Sequence, residues 1–166
     1  MIRRTVLGLA SLPWQAPAAQ AAADLPEGPV VLSVSGKPSE SALGQAARFD
    51  MTMLERLPQT SFSTLTPWYA QPRKFTGPLL REVLAVAGVH GSLVRAVALN
   101  DYRVDIPFDD VQRFDVLLAR LLDDKPMLVR DRGPLFIIYP FHQHASLRNA
   151  LYYTRCAWQL KAIEVS

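Results

Sequence analysis

Two histidines stand two residues apart at His142-Gln143-His144. On an extended segment that spacing sends both imidazoles to one side, which is half of a metal site. The sequence announces no third or fourth ligand, so a solvated loop is the simpler reading. Two guanidiniums flank a tight turn at Arg130-Asp131-Arg132-Gly133-Pro134. Arginine in such a loop suits a bidentate grip on an anion, and a surface ion pair through Asp131 is the equal alternative. Ser61 and Ser63 fall in an expected strand rather than on a G-x-S-x-G elbow, so nothing supports acyl transfer. Gly36 and Gly77 stand alone, and no phosphate loop is present. The acidic pairs Asp109-Asp110 and Asp123-Asp124 read as solvated caps in turns. The single cysteine, Cys156, lies just before the last expected strand and reads as a small buried hydrophobe rather than a free reactive thiol or metal ligand.

The stretch from Thr64 to Leu80 carries the most chemistry. It opens as the tail of a strand expected over Thr60–Thr66, which Pro67 ends because it has no amide hydrogen to offer a sheet. Trp68 and Tyr69 follow, two large rings with polar tips in a loop. Phe75-Thr76-Gly77-Pro78 reads as a helix start, with Thr76 or Gly77 as cap and Pro78 in the first turn. A strand, an aromatic and basic loop, and a helix N-terminus that favours anions together suit a small-molecule site.

The elements that must position these residues come from one domain's worth of chain, 166 residues, about half of them apolar. The first 23 have the layout of a secretory signal: a basic start at Arg3-Arg4, a short apolar run to Trp14, and A-x-A patterns ending at Ala23. An unstructured start or an uncleaved anchor is the alternative, although the apolar run is too short to span a bilayer. The expected mature domain is 24–166, placed in the periplasm with no membrane span. Its removal of the signal takes away two of the 18 basic residues and none of the 15 acidic ones, leaving a net charge of +1. Such a balance gives no case for nucleic acid. A lone cysteine also rules out an internal disulfide, so burial must hold the fold.

Strands are expected over Val30–Val34, Ala47–Asp50, Leu93–Leu99, Arg103–Ile106, Leu135–Tyr139 and Ala157–Val165. Met127–Val129 reads as extended. Ser39–Gln45 reads as a loop. Asp50 or Thr52 caps a short helix over Met53–Leu57, and a longer helix buries Leu79, Leu80, Val83, Leu84 and Ala87 until Gly88 stops it. Phe108–Phe114 and Leu147–Tyr153 suit short helical turns. Val116–Leu122 is too short for periodicity to separate strand from helix. Many short strands with a few helices indicate an α+β domain, mainly β.

Phe75-Thr76-Gly77-Pro78-Leu79-Leu80 resembles the W-T-G-x-x-L segment of the sulfite oxidase family of molybdopterin enzymes. The segments Val116–Ala119 through Met127, Arg130–Pro140 and Trp158–Val165 are similar to later segments of that family, in order. Val30–Gly36 resembles its opening strand. The set is most similar to the small, exported, single-domain members, whose A-L-N-D-Y segment has its counterpart at Ala98–Tyr102. The resemblance implies a sulfite oxidase-like fold of mixed sheets with a few short helices, a molybdopterin cofactor, and a cysteine thiolate on the metal. In that family Trp follows the cysteine by four residues and the aromatic of W-T-G follows it by eleven. Counting from Phe75 and Trp68 puts Thr64 in the cysteine's place. Cys156 lies in the C-terminal segment, away from that position.

A threonine hydroxyl is hard and stays protonated, whereas molybdenum in this family takes soft sulfur. Molybdenum held by a protein ligand is therefore not expected. The resemblance implies that Thr64, Thr66, Trp68, Tyr69, Asp101, Tyr102 and Arg132 line one cleft for a small anion or pterin. Two function classes stay open. One is an oxidoreductase with altered ligation and a periplasmic redox partner. The other is a non-catalytic ligand-binding or sensory module that keeps the pocket.

Overall fold

β-Branched and apolar residues alternate with polar ones in Val30–Gly36 (β1), and the alternation buries Leu32 and Val34. The computed structural model describes residues 25–36 and 46–166. The expected export signal and the Ser39–Gln45 loop lie outside these residues. β1 pairs antiparallel with Ala47–Asp50 (β2) and parallel with the last strand of the chain. Asp50 then caps Met51–Arg56 (α1): Oδ1 accepts from Met53 N at 2.8 Å and Oδ2 from Gly28 N at 2.9 Å. Those amide bonds hold the Asp50 carboxyl below its ordinary pKa.

Thr60–Thr64 (β3) and Arg73–Gly77 (β4) form a hairpin whose register pairs Thr64 with Arg73 and Thr60 with Gly77. This corrects the expected helix start. Thr76 and Gly77 are in sheet pairing, because Thr76 also faces Leu121 of the next strand and its hydroxyl meets that of Ser61 at 2.6 Å. Leu79 is still extended, and the helix Leu80–Ala87 (α2) begins after it with no side-chain cap. Its first amide is already taken: Leu80 N donates to Val116 O at 2.8 Å. The helix N-terminus is therefore buried support for the sheet, not an anion cradle. α2 buries Leu80, Val83 and Leu84, as its spacing predicts, and ends at Gly88 with φ 67°.

Leu93–Ala98 (β5) and Arg103–Pro107 (β6) make the expected hairpin, followed by Phe108–Arg113 (α3). The ambiguous segment after α3 is extended, as Leu117–Ala119 (β7) and Leu121–Leu122 (β8). Asp123 and Asp124, both at positive φ, turn the chain into Lys125–Pro126 (β9). Met127–Val129 is not extended throughout, because a 3-10 turn starts at Val129. Phe136–Ile138 (β10) pairs with β7, Ala150–Arg155 (α4) is capped by Asn149, and Leu160–Val165 (β11) closes the chain.

The sheets run β2-β1-β11-β5-β6, β3-β4-β8-β9 and β10-β7. The architecture is mainly β with four short helices among the described residues, an α+β domain. Its core is continuous and includes Phe75, Leu80, Leu118, Phe136 and Ile163. One buried polar cluster crosses it. Tyr139 and Arg155 both donate to Asp110 Oδ2, at 2.9 and 2.6 Å. Burial and the Asp110 charge push the Tyr139 hydroxyl's pKa far up, so it stays a donor.

Gly77 belongs to the segment that resembles W-T-G, and its place explains the residue. A Cβ there would sit 2.0 Å from Leu118 O, where β4 crosses β7. Gly77→Ala should therefore cost about 1–3 kcal/mol through forced backbone shifts. At Gly28 the nearest atom to an added Cβ is 3.6 Å away, and Gly28→Ala should stay within about 0.5 kcal/mol of wild type. Urea midpoints of the two variants check this, and equal midpoints would contradict the close approach.

Candidate functional site

The hairpin register leaves residues 65–72 as a broad loop between β3 and β4, and this loop carries Trp68 and Tyr69. Trp68 is anchored by aromatic contacts on several sides. Its ring lies 5.6 Å from Phe136, 5.4 Å from Trp158 and 6.2 Å from Tyr153, the last two edge to face. β10, α4 and the segment leading into β11 thus fix one loop residue.

Beside this cluster opens a cleft of about 510 Å³. That is within the roughly 300–1,000 Å³ of ordinary small-molecule sites. Its aromatic lining comes from Trp68, Tyr102, Tyr153 and Trp158. Ala98 and Ala157 are buried on its inner side and Ala150 is exposed at its edge, so small side chains leave the space that the rings enclose. The remaining lining groups are Asn100, Thr154 and Cys156. Two of these are turned to the backbone: Thr154 Oγ1 donates to Leu151 O at 2.7 Å, and Cys156 Sγ to Tyr152 O at 3.5 Å. Asn100 Oδ1 accepts from Tyr102 N at 3.1 Å, which shapes the β5–β6 turn. Among the described residues, none that lines the cleft is charged.

Of the residues expected to share a cleft, Trp68 and Tyr102 line this one. Tyr69 and Arg132 adjoin it. The Arg132 guanidinium sits 5.0 Å from the Tyr69 ring centre and 5.5 Å from that of Trp158, with one N–H 3.4 Å from the Tyr69 hydroxyl. Arg132 has a left-handed backbone, φ 71°, and its carbonyl accepts from Gln159 N at 3.0 Å, which ties this turn to the start of β11. Asp101 points to a different partner, Lys161 Nζ at 2.6 Å, and that pairing lowers its pKa. Thr64 and Thr66 lie on the inner side of β3 and its continuation, 2% and 5% exposed, outside the cleft lining. Neither hydroxyl has a hydrogen-bond partner among the described residues.

The loop histidines do not converge. His142 packs 5.0 Å from Phe62, and His144 5.2 Å from Phe114. Among the described residues no group of three His, Cys, Asp or Glu side chains could hold a metal ion. Arg130 takes the surface reading, 3.8 Å from Asp131.

The sequence reading missed most of the cleft. Ala98, Ala150 and Ala157 carry no chemical signal, and an alanine that makes room looks like any other alanine. Trp158 was visible only as part of a strand. Cys156, read as remote from the site, lies in the cleft's inner lining and is 3% exposed.

These residues do not fit a molybdenum-bearing pterin. The position that the sulfite oxidase resemblance assigns to the metal thiolate holds a buried hydroxyl, Thr64. The sulfur that does line the cleft is a thiol whose pKa burial pushes up to about 12. Among the described residues, the cleft lining also presents no cation for a pterin phosphate.

No protein-family model matches the chain, and no curated protein does either. Its fold is similar to the crystal structure of the sulfane dehydrogenase SoxCD from Paracoccus pantotrophus, with a TM-score of 0.60 at 16% sequence identity. The likeness spans 81% of this chain and 37% of that one, so this chain corresponds to little more than a third of the longer protein. At this identity the likeness establishes the fold.

Cys156 gives a pH prediction. Below pH 9.0, its ordinary value, the thiol is protonated whether the chain is folded or not. Above it the unfolded chain ionises and the folded chain does not, so stability falls as pH rises from 9.0 toward about 12. Wild type should lose more stability than Cys156→Ala between about pH 8 and about pH 10.5, read from urea midpoints. Parallel losses would show that the thiol ionises freely in the fold.

Proposed function

We propose that this chain is an exported, non-catalytic ligand-binding domain on a sulfite oxidase-like fold, and that its ligand occupies the aromatic cleft beside Trp68. The observation that carries the reading is the division of the site. The cleft is built and walled by rings, while the family's thiolate position holds Thr64. Binding needs the first and oxidation through molybdenum needs the second. The oxidoreductase reading rests on the sequence resemblance and on the fold shared with a dehydrogenase. It asks a buried, protonated hydroxyl to replace a soft sulfur donor.

The physical role of a ligand-binding module is to convert occupancy into a surface change that a periplasmic partner reads. The β5–β6 turn and the N-terminal end of α4 both reach the cleft, so a ligand there touches two separate elements at the surface. The export part of this proposal rests on the basic start, apolar run and A-x-A ending of residues 1–23. Intact mass of secreted material should place the mature N-terminus between Ala22 and Asp24, and full-length protein in the cytosol would count against export.

The decisive test is expression of the full chain with molybdate supplied and the export signal intact. Elemental analysis should find molybdenum well below one per chain, with no sulfite-dependent reduction of an electron acceptor. Thr64→Cys should raise metal retention if the alignment of position 64 is right. One molybdenum per wild-type chain, or turnover of sulfite, would overturn the binding reading.

A further inference from the structure

The inventory of hydrogen-bonding groups in the cleft narrows what it takes. Its polar atoms are few, and several are committed to the protein. Thr154 and Cys156 donate to the carbonyls of Leu151 and Tyr152. Asn100 spends its oxygen on the Tyr102 amide. Among the described residues this leaves the Asn100 amide nitrogen, the hydroxyls of Tyr102 and Tyr153 and the indole N–H groups of Trp68 and Trp158, all uncharged. The nearest strong charges have partners: Lys161 holds Asp101 at 2.6 Å, and Arg155 holds Asp110 at 2.6 Å. Arg132, beside the cleft, has no salt bridge to a carboxylate among the described residues. Its guanidinium is spread over Tyr69 and Trp158, and it is not part of the lining.

Burying a charge against such a surface carries a large desolvation cost with no ion to offset it. Flat rings set edge to face around small alanines offer instead the contacts that a flat ring prefers. We infer that the cleft binds an uncharged, flat, ring-containing molecule, in place of the anionic pterin implied by the resemblance. The ligand buries its rings against Trp68 and Trp158 and makes a small number of hydrogen bonds at the Asn100 and tyrosine edge. This inference rests on the ligand-binding reading and specifies its substrate class.

The experiment uses the full chain and two dyes that share the same fused ring system. N-phenyl-1-naphthylamine is uncharged, and 1-anilino-8-naphthalenesulfonate adds one sulfonate. Excitation of tryptophan reports binding by energy transfer from Trp68 and Trp158. The uncharged dye should bind at least about tenfold more tightly, with little dependence on salt. Ala150 is exposed at the cleft edge, so Ala150→Trp keeps the core and blocks the entrance. It should weaken the uncharged dye by at least about tenfold, the cost of losing one good aromatic contact. Tighter binding of the sulfonate that Ala150→Trp blocks and Arg132→Gln weakens would overturn the inference and leave the ligand-binding reading standing. Binding of neither dye, or binding that Ala150→Trp leaves unchanged, would remove both.

Discussion

The last strand is the constraint on which the rest depends. β11 enters between β1 and β5, parallel to the first strand of the described domain and antiparallel to β5. Without it the five-stranded sheet is two separate pairs, β1 with β2 and β5 with β6. Ile163 and Val165 are buried within that sheet, and Gly36 lies tight against Val165. The same insertion delivers Ala157 and Trp158 to the ends of β5 and the β3–β4 loop. Pairing of Phe136 with Trp158 then locks the small sheet to the segment leading into β11. The strand that completes the sheet thus also builds the cleft.

Polar groups inside this core are treated in two ways. Asp110 receives Tyr139 and Arg155, so each buried charge or hydroxyl has its partner. That triad joins α3, β10's end and α4, and it fixes the helix from which Tyr153 and Ala150 reach the cleft. Thr64 and Thr66 are buried with no such partner among the described residues. They hold positions where the strand's alternation calls for apolar residues, as Phe62 supplies two residues earlier. An unpartnered buried hydroxyl costs stability that a valine would not. Two hydroxyls on the inner side of β3 are therefore not there for packing.

The aromatic cluster is amphipathic in the same sense. Phe136 is fully buried behind it, Trp68 is half-buried, and Tyr102 is 52% exposed at the edge. Burial grades from core to rim over a few residues. The inner part is rigid because it is packed, and the outer part remains open to solvent. Arg132 holds the boundary by covering two rings with one cation.

Strand alternation in β1, β5, β6 and β11, the apolar face of α2, the cap at Asp50 as one of two candidates, and the Gly88 stop were legible in the sequence, because each depends on neighbours within a few residues. What the sequence misread was the segment Phe75–Pro78. Its local signals favour a helix start, and pairing with β3 and β8 overrode them. The cleft could not be read at all. It is made where Ala98, Ala150, Cys156 and Ala157, from distant parts of the chain, leave room between rings that distant parts also supply. Residue types determined the strands; only tertiary packing decided where space remained, because empty volume is a property of what meets across the fold and not of any one residue.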